Sequence, residues 1–193
     1  MTTYLRTGSQ TVGPFFHDCL LRADAVRNVL VGAATAGDRI RIEGRVFDGD
    51  GVGVPDAVLE IWQANHYGRY NHPADMRDLP LDPAFTGFGR AGTDAAGAFW
   101  FETIKPGRVP FDRERLQAPH ICVAVFARGL LNHLATRLYF ADEPANSDDP
   151  LLSSIPAERR ATLLAQPASV DGASVYRLDI VLQGAGETVF FNL

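Results

Sequence analysis

Cysteine is scarce: the 193-residue chain has two, Cys19 and Cys122. They could form at most one disulfide. The amino-terminal end lacks the apolar middle of a secretory signal, so free thiols and a cytoplasmic location are expected. No apolar run approaches the roughly 18 residues needed for a membrane span. A net charge of −5 and a pI near 5.5 argue against nucleic acid or an anionic membrane surface as a partner. Also missing are Gly-x-Ser-x-Gly, Gly-x-x-x-x-Gly-Lys, a Gly-x-Gly-x-x-Gly after a strand and His-Glu-x-x-His, so the signatures of common hydrolases, nucleotide binders and zinc proteases are set aside. Internal repeats and low-complexity segments are absent as well.

With 46% hydrophobic and 21% charged residues, the composition fits one globular domain with an appended arm. The arm is residues 1–37. Within it Gly13-Pro14 marks a bend before Phe15 and Phe16. Two readings stand there: the Phe pair plugs the edge of a core, or the segment offers backbone and aromatic groups to a neighbouring site.

From residue 38 to 193 the text becomes strand-like. Arg39-Ile40-Arg41-Ile42-Glu43-Gly44-Arg45-Val46-Phe47 alternates polar and apolar residues before the turn Asp48-Gly49-Asp50-Gly51. Further strands are expected at residues 57–63, 98–104, 121–127, 136–140, 176–182 and 187–191, and a single short helix at 156–166. Short strands joined by turns predict a mainly β fold, an antiparallel two-sheet β-sandwich of the transthyretin or immunoglobulin kind. Residues 64–96 and 105–118 form loops too long to be mere connectors, so function is expected there. Asp148-Asp149 and Asp48-Gly49-Asp50 read as solvated turns rather than acid/base pairs.

One stretch carries chemistry on its face. In a strand successive side chains alternate, so His120 and Cys122 point one way while Ile121 and Val123 point the other. That is the spacing of a two-ligand metal clamp. Tyr70, His72, His66 and His133 are the other nitrogen and oxygen donors near strands, and tyrosinate with imidazole suits ferric iron. Each also has an ordinary reading: His66 and His72 as solvated loop residues, His133 as a surface residue, Cys122 as a small buried hydrophobe.

Glu60-Ile61-Trp62-Gln63-Ala64-Asn65, Gly68-Arg69-Tyr70, Leu81-Asp82-Pro83-Ala84-Phe85, Gly89-Arg90, Thr93-Asp94, Thr103-Ile104-Lys105-Pro106-Gly107 and Pro119-His120-Ile121, in this order, resemble the intradiol ring-cleavage dioxygenases. Gln10-Thr11-Val12-Gly13-Pro14-Phe15, Phe126-Ala127-Arg128-Gly129-Leu130, Thr136-Arg137-Leu138-Tyr139-Phe140 and Gly186-Glu187-Thr188-Val189-Phe190-Phe191 resemble its heteromeric branch. In that family two tyrosinates and two histidines hold a non-haem Fe(III), on which a catechol is opened by O2. The resemblance places the ligand positions at Tyr70, Val109, His120 and Cys122, and an arginine that lies near the bound ring at Gln117. Two of the four ligands are therefore replaced.

The resemblance thus implies a vestigial metal position and no catalytic residue in this chain alone. The Fe(III) is expected on a catalytic beta-type partner, in a complex of further alpha-beta protomers that takes protocatechuate and O2. This chain would line the partner's substrate pocket with Thr11, Gly13, Pro14, Phe15 and Arg128. The alternatives are an autonomous iron dioxygenase using Tyr70, His120 and Cys122 or His133, and a plain β-sandwich binding module.

Overall fold

Strict alternation of apolar and polar residues builds the longest strand, β1 (Arg39–Phe47), whose Ile40, Ile42 and Val46 are buried while Arg39 and Arg45 are exposed. The computed structural model describes residues 11–13 and 15–192. Beyond β1 its strands are β2 (Val58–Trp62), β3 (Phe88–Gly92), β4 (Ala98–Ile104), β5 (Val109–Pro110), β6 (Leu116–Gln117), β7 (His120–Phe126), β8 (Leu134–Phe140), β9 (Leu164–Val170), β10 (Ala173–Arg177) and β11 (Ile180–Val181). Among the described residues helix is confined to three short pieces, α1 (Phe15–Leu20), α2 (Pro150–Ser154) and α3 (Ala157–Arg160), with 3-10 turns beside the last two. The chain is therefore mainly β.

The hydrogen-bonded order is β3-β2-β7-β8-β9-β10-β1, with β4 on the other side of β1 and β11 at its end. Strand β9 joins the two halves, pairing Leu164 and Ala165 with Tyr139 and Phe140, then Gln166 to Val170 with β10. One continuous ladder thus wraps the core, where two separate sheets were expected. Nor is pairing purely antiparallel, since β8/β9, β1/β10 and β1/β11 run parallel. The cause is connection length: residues 141–163 separate β8 from β9, enough chain for a parallel crossover.

Inside the ladder Ile42, Leu59, Ile61, Phe101, Ile121, Val125, Leu138, Phe140 and Ile180 form the core, each worth about 1.5–3 kcal/mol when fully buried. Leu30 joins them, and backbone bridges Arg27 to Arg90 and Val29 to Glu102 hold this segment on β3 and β4.

Other expectations shift at identifiable contacts. The helix expected at 156–166 stops at Leu163, because Leu164 and Ala165 gain ladder partners in β8, and tertiary pairing outweighs helix propensity. The strand expected at 176–182 divides into β10 and β11 around Leu178, whose carbonyl presses on Gly44; a Cβ at that glycine would lie 1.9 Å from it. Residues 187–191 make only an isolated bridge, Ala135 to Phe191. Asp149 is fully buried and not in a solvated turn: its carboxylate caps α2 by accepting from Leu152 N at 2.7 Å, and also accepts from Ala118 N at 2.7 Å. Cys19 and Cys122 are both free thiols. Among the described residues no helix is long and apolar enough to cross a membrane.

Candidate functional site

Strand β7 sorts its side chains as its alternation requires. Ile121, Val123 and Val125 enter the core, while His120 and Cys122 face the other way. His120 opens into a cavity of about 950 Å³ together with Trp62, Tyr70, Asp75, Val109, Gln117 and Arg137. Cys122 lines an adjoining hollow that shares Trp62, Gln117 and Arg137 with it.

Two loops meet to supply Tyr70 and Val109. Asn65 folds the first of them: its Oδ1 accepts from Tyr67 N and Arg69 N, both at 3.0 Å, and its carbonyl accepts from Gly68 N and Gly107 N, both at 2.9 Å. Gly68 sits at φ +80°, and a Cβ there would stand 2.0 Å from the Arg108 carbonyl. Only glycine lets the loops touch this way. Tyr70 then stacks on Trp62, with centroids 5.8 Å apart and planes 11° from parallel, while its N–H donates to Asp75 Oδ2 at 2.8 Å. Val109 pairs with Gln117 in the β5/β6 hairpin.

Register brings in a residue that pattern reading missed. Arg137 on β8 lies directly opposite Cys122, so its side chain rises on the same face as His120 and Cys122. Its Nη1 donates to Gln117 Oε1 at 2.6 Å and to Tyr139 Oη at 3.3 Å. Its outward slot between buried Thr136 and Leu138 was the available signal, but the partner strand was unknown.

The surroundings keep the titratable groups neutral. Burial, with the Cys122 sulfur next in weight, pushes the Tyr70 phenol up to about 12, and burial with the Arg137 charge brings His120 down to about 4. Burial also raises the Cys122 thiol, against the pull of Arg137. His120 Nδ1 bonds the Ala118 carbonyl at 2.8 Å, leaving the other ring nitrogen for the cavity.

A dioxygenase family model matches residues 12–184. The protocatechuate 3,4-dioxygenase alpha chain of Burkholderia cepacia is 46% identical over 204 residues, covering 100% of both chains. The beta chain of that enzyme from the same organism is 37% identical, covering 94% of this chain and 77% of its own. Among solved structures, the dioxygenase domain of a dioxygenase carbohydrate-binding protein fusion from Streptomyces sp. SirexAA-E superposes with a TM-score of 0.64 at 29% identity, covering 91% of this chain and 97% of that one. The chain belongs to the intradiol ring-cleavage dioxygenase family.

Intradiol dioxygenases depend on non-haem Fe(III). Three of the four ligand positions expected in this chain, Tyr70, Val109 and His120, line one cavity, and Cys122 stands at its border. The residues present do not fit the ion. Val109 offers no donor, Cys122 puts a soft sulfur where the family has an imidazole, and the guanidinium of Arg137 lies opposite Cys122 and lines the same cavity. Among the described residues no three His, Cys, Asp or Glu side chains cluster to hold a metal. Of the remaining donors considered, His72 lies at the cavity rim, His133 stacks on Phe126 in the adjoining hollow, and His66 packs beneath Gly37 away from both.

The other candidate residues assemble elsewhere. Thr11 Oγ1 accepts from Gly129 N at 3.2 Å, and Gly13 O accepts from Phe16 N at 3.0 Å, which brings the arm beside Arg128. Phe16 packs on Phe126, while Phe15 stays 76% exposed. Arg128, with its side chain 71% exposed, pairs with Asp56 at 3.2 Å. Pro14 lies outside the described residues. This cluster is at the end of β7 remote from His120, separated by roughly 20 Å of strand at ~3.3 Å per residue.

Proposed function

We propose that this chain is the iron-free alpha subunit of a heteromeric protocatechuate 3,4-dioxygenase. Its beta-type partner would hold the Fe(III), which makes the bound catecholate reactive toward O2. The ring opens between its hydroxylated carbons and both oxygen atoms enter the product, 3-carboxy-cis,cis-muconate. The observation that carries the reading is the full-length match to an alpha chain combined with a cavity whose donors do not suit a ferric ion.

In this reading Thr11, Gly13, Pro14 and Phe15 of the arm (residues 1–37), with Arg128, face the partner's substrate. Arg128 orients the substrate carboxylate by charge-assisted hydrogen bonds, and the small arm residues let backbone approach a flat ring. Exposure of Phe15 and Arg128, and the bond joining Thr11 to Gly129, support a surface prepared for a partner. Residues 38–193 form the sandwich, its two sheets joined through β9, and the complex of several alpha-beta protomers is cytoplasmic.

Co-expression with a beta-type chain tests this. The two should co-purify as an active complex with iron in proportion to the partner. Stoichiometric, coloured iron in this chain alone, or failure to co-purify, would overturn it.

A further inference from the structure

Strand β3 carries two glycines that its backbone does not require. Neither Gly89 nor Gly92 has a positive φ, and a glycine inside a strand weakens it unless something must come close. Here the arm comes close, and it does so from both faces of the strand. Gly89 pairs with Ile61 in the row that faces the core, and a Cβ on it would lie 2.8 Å from Leu30 Cδ1 and 3.0 Å from the Arg27 carbonyl oxygen. Gly92 pairs with Val58 in a row of the opposite, outward face, where a Cβ would lie 2.6 Å from Leu21 Cδ1. Between the two sockets Arg27 and Arg90 exchange backbone hydrogen bonds at 2.8 and 3.0 Å. The arm thus straddles the edge of β3, with Leu21 outside, Arg27 at the rim and Leu30 inside.

The outer socket governs the part of the arm that precedes it. Gly92, Val58 and Phe126 lie side by side on β3, β2 and β7. Leu21 sits over the first, Phe16 packs on the last with ring centroids 5.7 Å apart, and Val58 between them is fully buried although it points out of the core. Helix α1 and Leu21 therefore lie across this row, and the missing side chain at Gly92 sets how deep the far end of the helix rests. Thr11 and Gly13 hang from the near end, so a shift of α1 moves them too. We propose that Gly89 and Gly92 are positioning residues for the ring-opening reaction, a two-sided clamp that fixes Thr11 to Phe15 at the partner's substrate. The role rests on the reading that those arm residues face that substrate. Misplacing a positioning group by about 1 Å can cost up to ~10²-fold in rate, so a small shift in the seat of the arm is enough to be felt.

Gly92→Val tests the clamp, because valine suits a strand while its bulk displaces Leu21. In the isolated full chain, hydrogen exchange of residues 11–21 should speed up in Gly92→Val, with circular dichroism checking that the variant folds. In the alpha-beta complex KM for protocatechuate should rise at least about fivefold, as for a misplaced positioning group, while co-purification and iron content stay as they were. Gly89→Ala, which presses on the Arg27 carbonyl, should act in the same direction. Pairing Gly92→Val with Leu21→Ala moves the bulk from the arm to the strand and should bring KM most of the way back. Unchanged exchange in folded Gly92→Val would overturn the clamp. Faster exchange with unchanged KM, or less complex with unchanged KM, would make the glycines merely structural and overturn their role. A wild-type chain that forms no active complex would overturn the subunit reading and this role with it, and the exchange measured on the isolated chain keeps that failure distinct from failure of the clamp.

Discussion

Arg137 Nη1 donates to Gln117 Oε1 at 2.6 Å, bringing a guanidinium from β8 beside the residue three before His120. Gln117 is buried, so removing its amide takes from Arg137 its 2.6 Å acceptor and leaves the longer Tyr139 contact and the Cys122 sulfur. Gln117→Leu also removes the bond its Nε2 donates to the Pro110 carbonyl at 2.8 Å, and should destabilise the fold by about 2–4 kcal/mol, the cost of one hydrogen bond to a charged group and one neutral one. Urea denaturation measures this; an unchanged midpoint would mean the bonds contribute nothing.

Asp149 should matter as much. It is completely buried, caps α2, and accepts the Ala118 N–H just ahead of His120. Asp149→Ala strips acceptors from two amides and from Tyr139, and should cost about 2–4 kcal/mol by denaturant unfolding, the sum of a cap and a buried bond. Asp149→Asn retains one acceptor oxygen and should fall between the two. Equal stability of all three proteins would refute the assignment.

How much of this was legible in the sequence depended on whether a signal was local. Strands β1 and β4 were readable to the residue, because Ile40, Ile42 and Phe99, Phe101 alternate with polar neighbours. Tyr70, Val109, His120 and Cys122 were readable from motif order, and the fold brings them to one cavity and its border. Strand β9 was hidden, since Leu164 and Ala165 sit in helix-like text and become extended only by pairing with Tyr139 and Phe140. Arg137 was hidden for the same reason: its place opposite Cys122 is a property of register. Asp149 resembled a turn residue until the Ala118 and Leu152 amides converged on it.

Tyr176 gives the chain a pH dependence at the alkaline end. Burial and the hydrogen bond it donates to Asp142 at 3.0 Å raise the phenol from the ordinary 10.0 to about 12. Between those values the folded chain keeps a proton that the unfolded chain releases, so stability falls as pH rises from about 10 toward 12. Tyr176→Phe should flatten that fall in denaturant unfolding followed against pH. An unaltered slope would show that the phenol titrates equally in both states.

Arg128 should be dispensable for folding and needed for substrate. Its pair with Asp56 is solvent-exposed, and such pairs contribute about 0–1 kcal/mol. Arg128→Ala should therefore leave the unfolding midpoint of the chain nearly unchanged. In the alpha-beta complex it should raise KM for the carboxylated catechol by about tenfold, as expected for a lost charge-assisted contact, with iron content unaltered. A drop in iron content, or in stability, would make Arg128 a structural residue.

Restoring the two missing ligands should fail while Arg137 remains. Val109 already lines the cavity with Tyr70 and His120, so Val109→Tyr with Cys122→His would place four suitable donors around one space. Arg137 lines that same space and lies opposite residue 122, where its fixed positive charge opposes a ferric ion and competes for the tyrosinates. The double variant should thus take up little iron, and adding Arg137→Gln should raise iron content and produce a tyrosinate-to-iron visible band. Ring-cleavage activity should still be low, because the supporting shell around the donors was not built for the ion. Equal iron loading of the double and triple variants would show that Arg137 is a bystander and that Val109 and Cys122 alone keep the metal out.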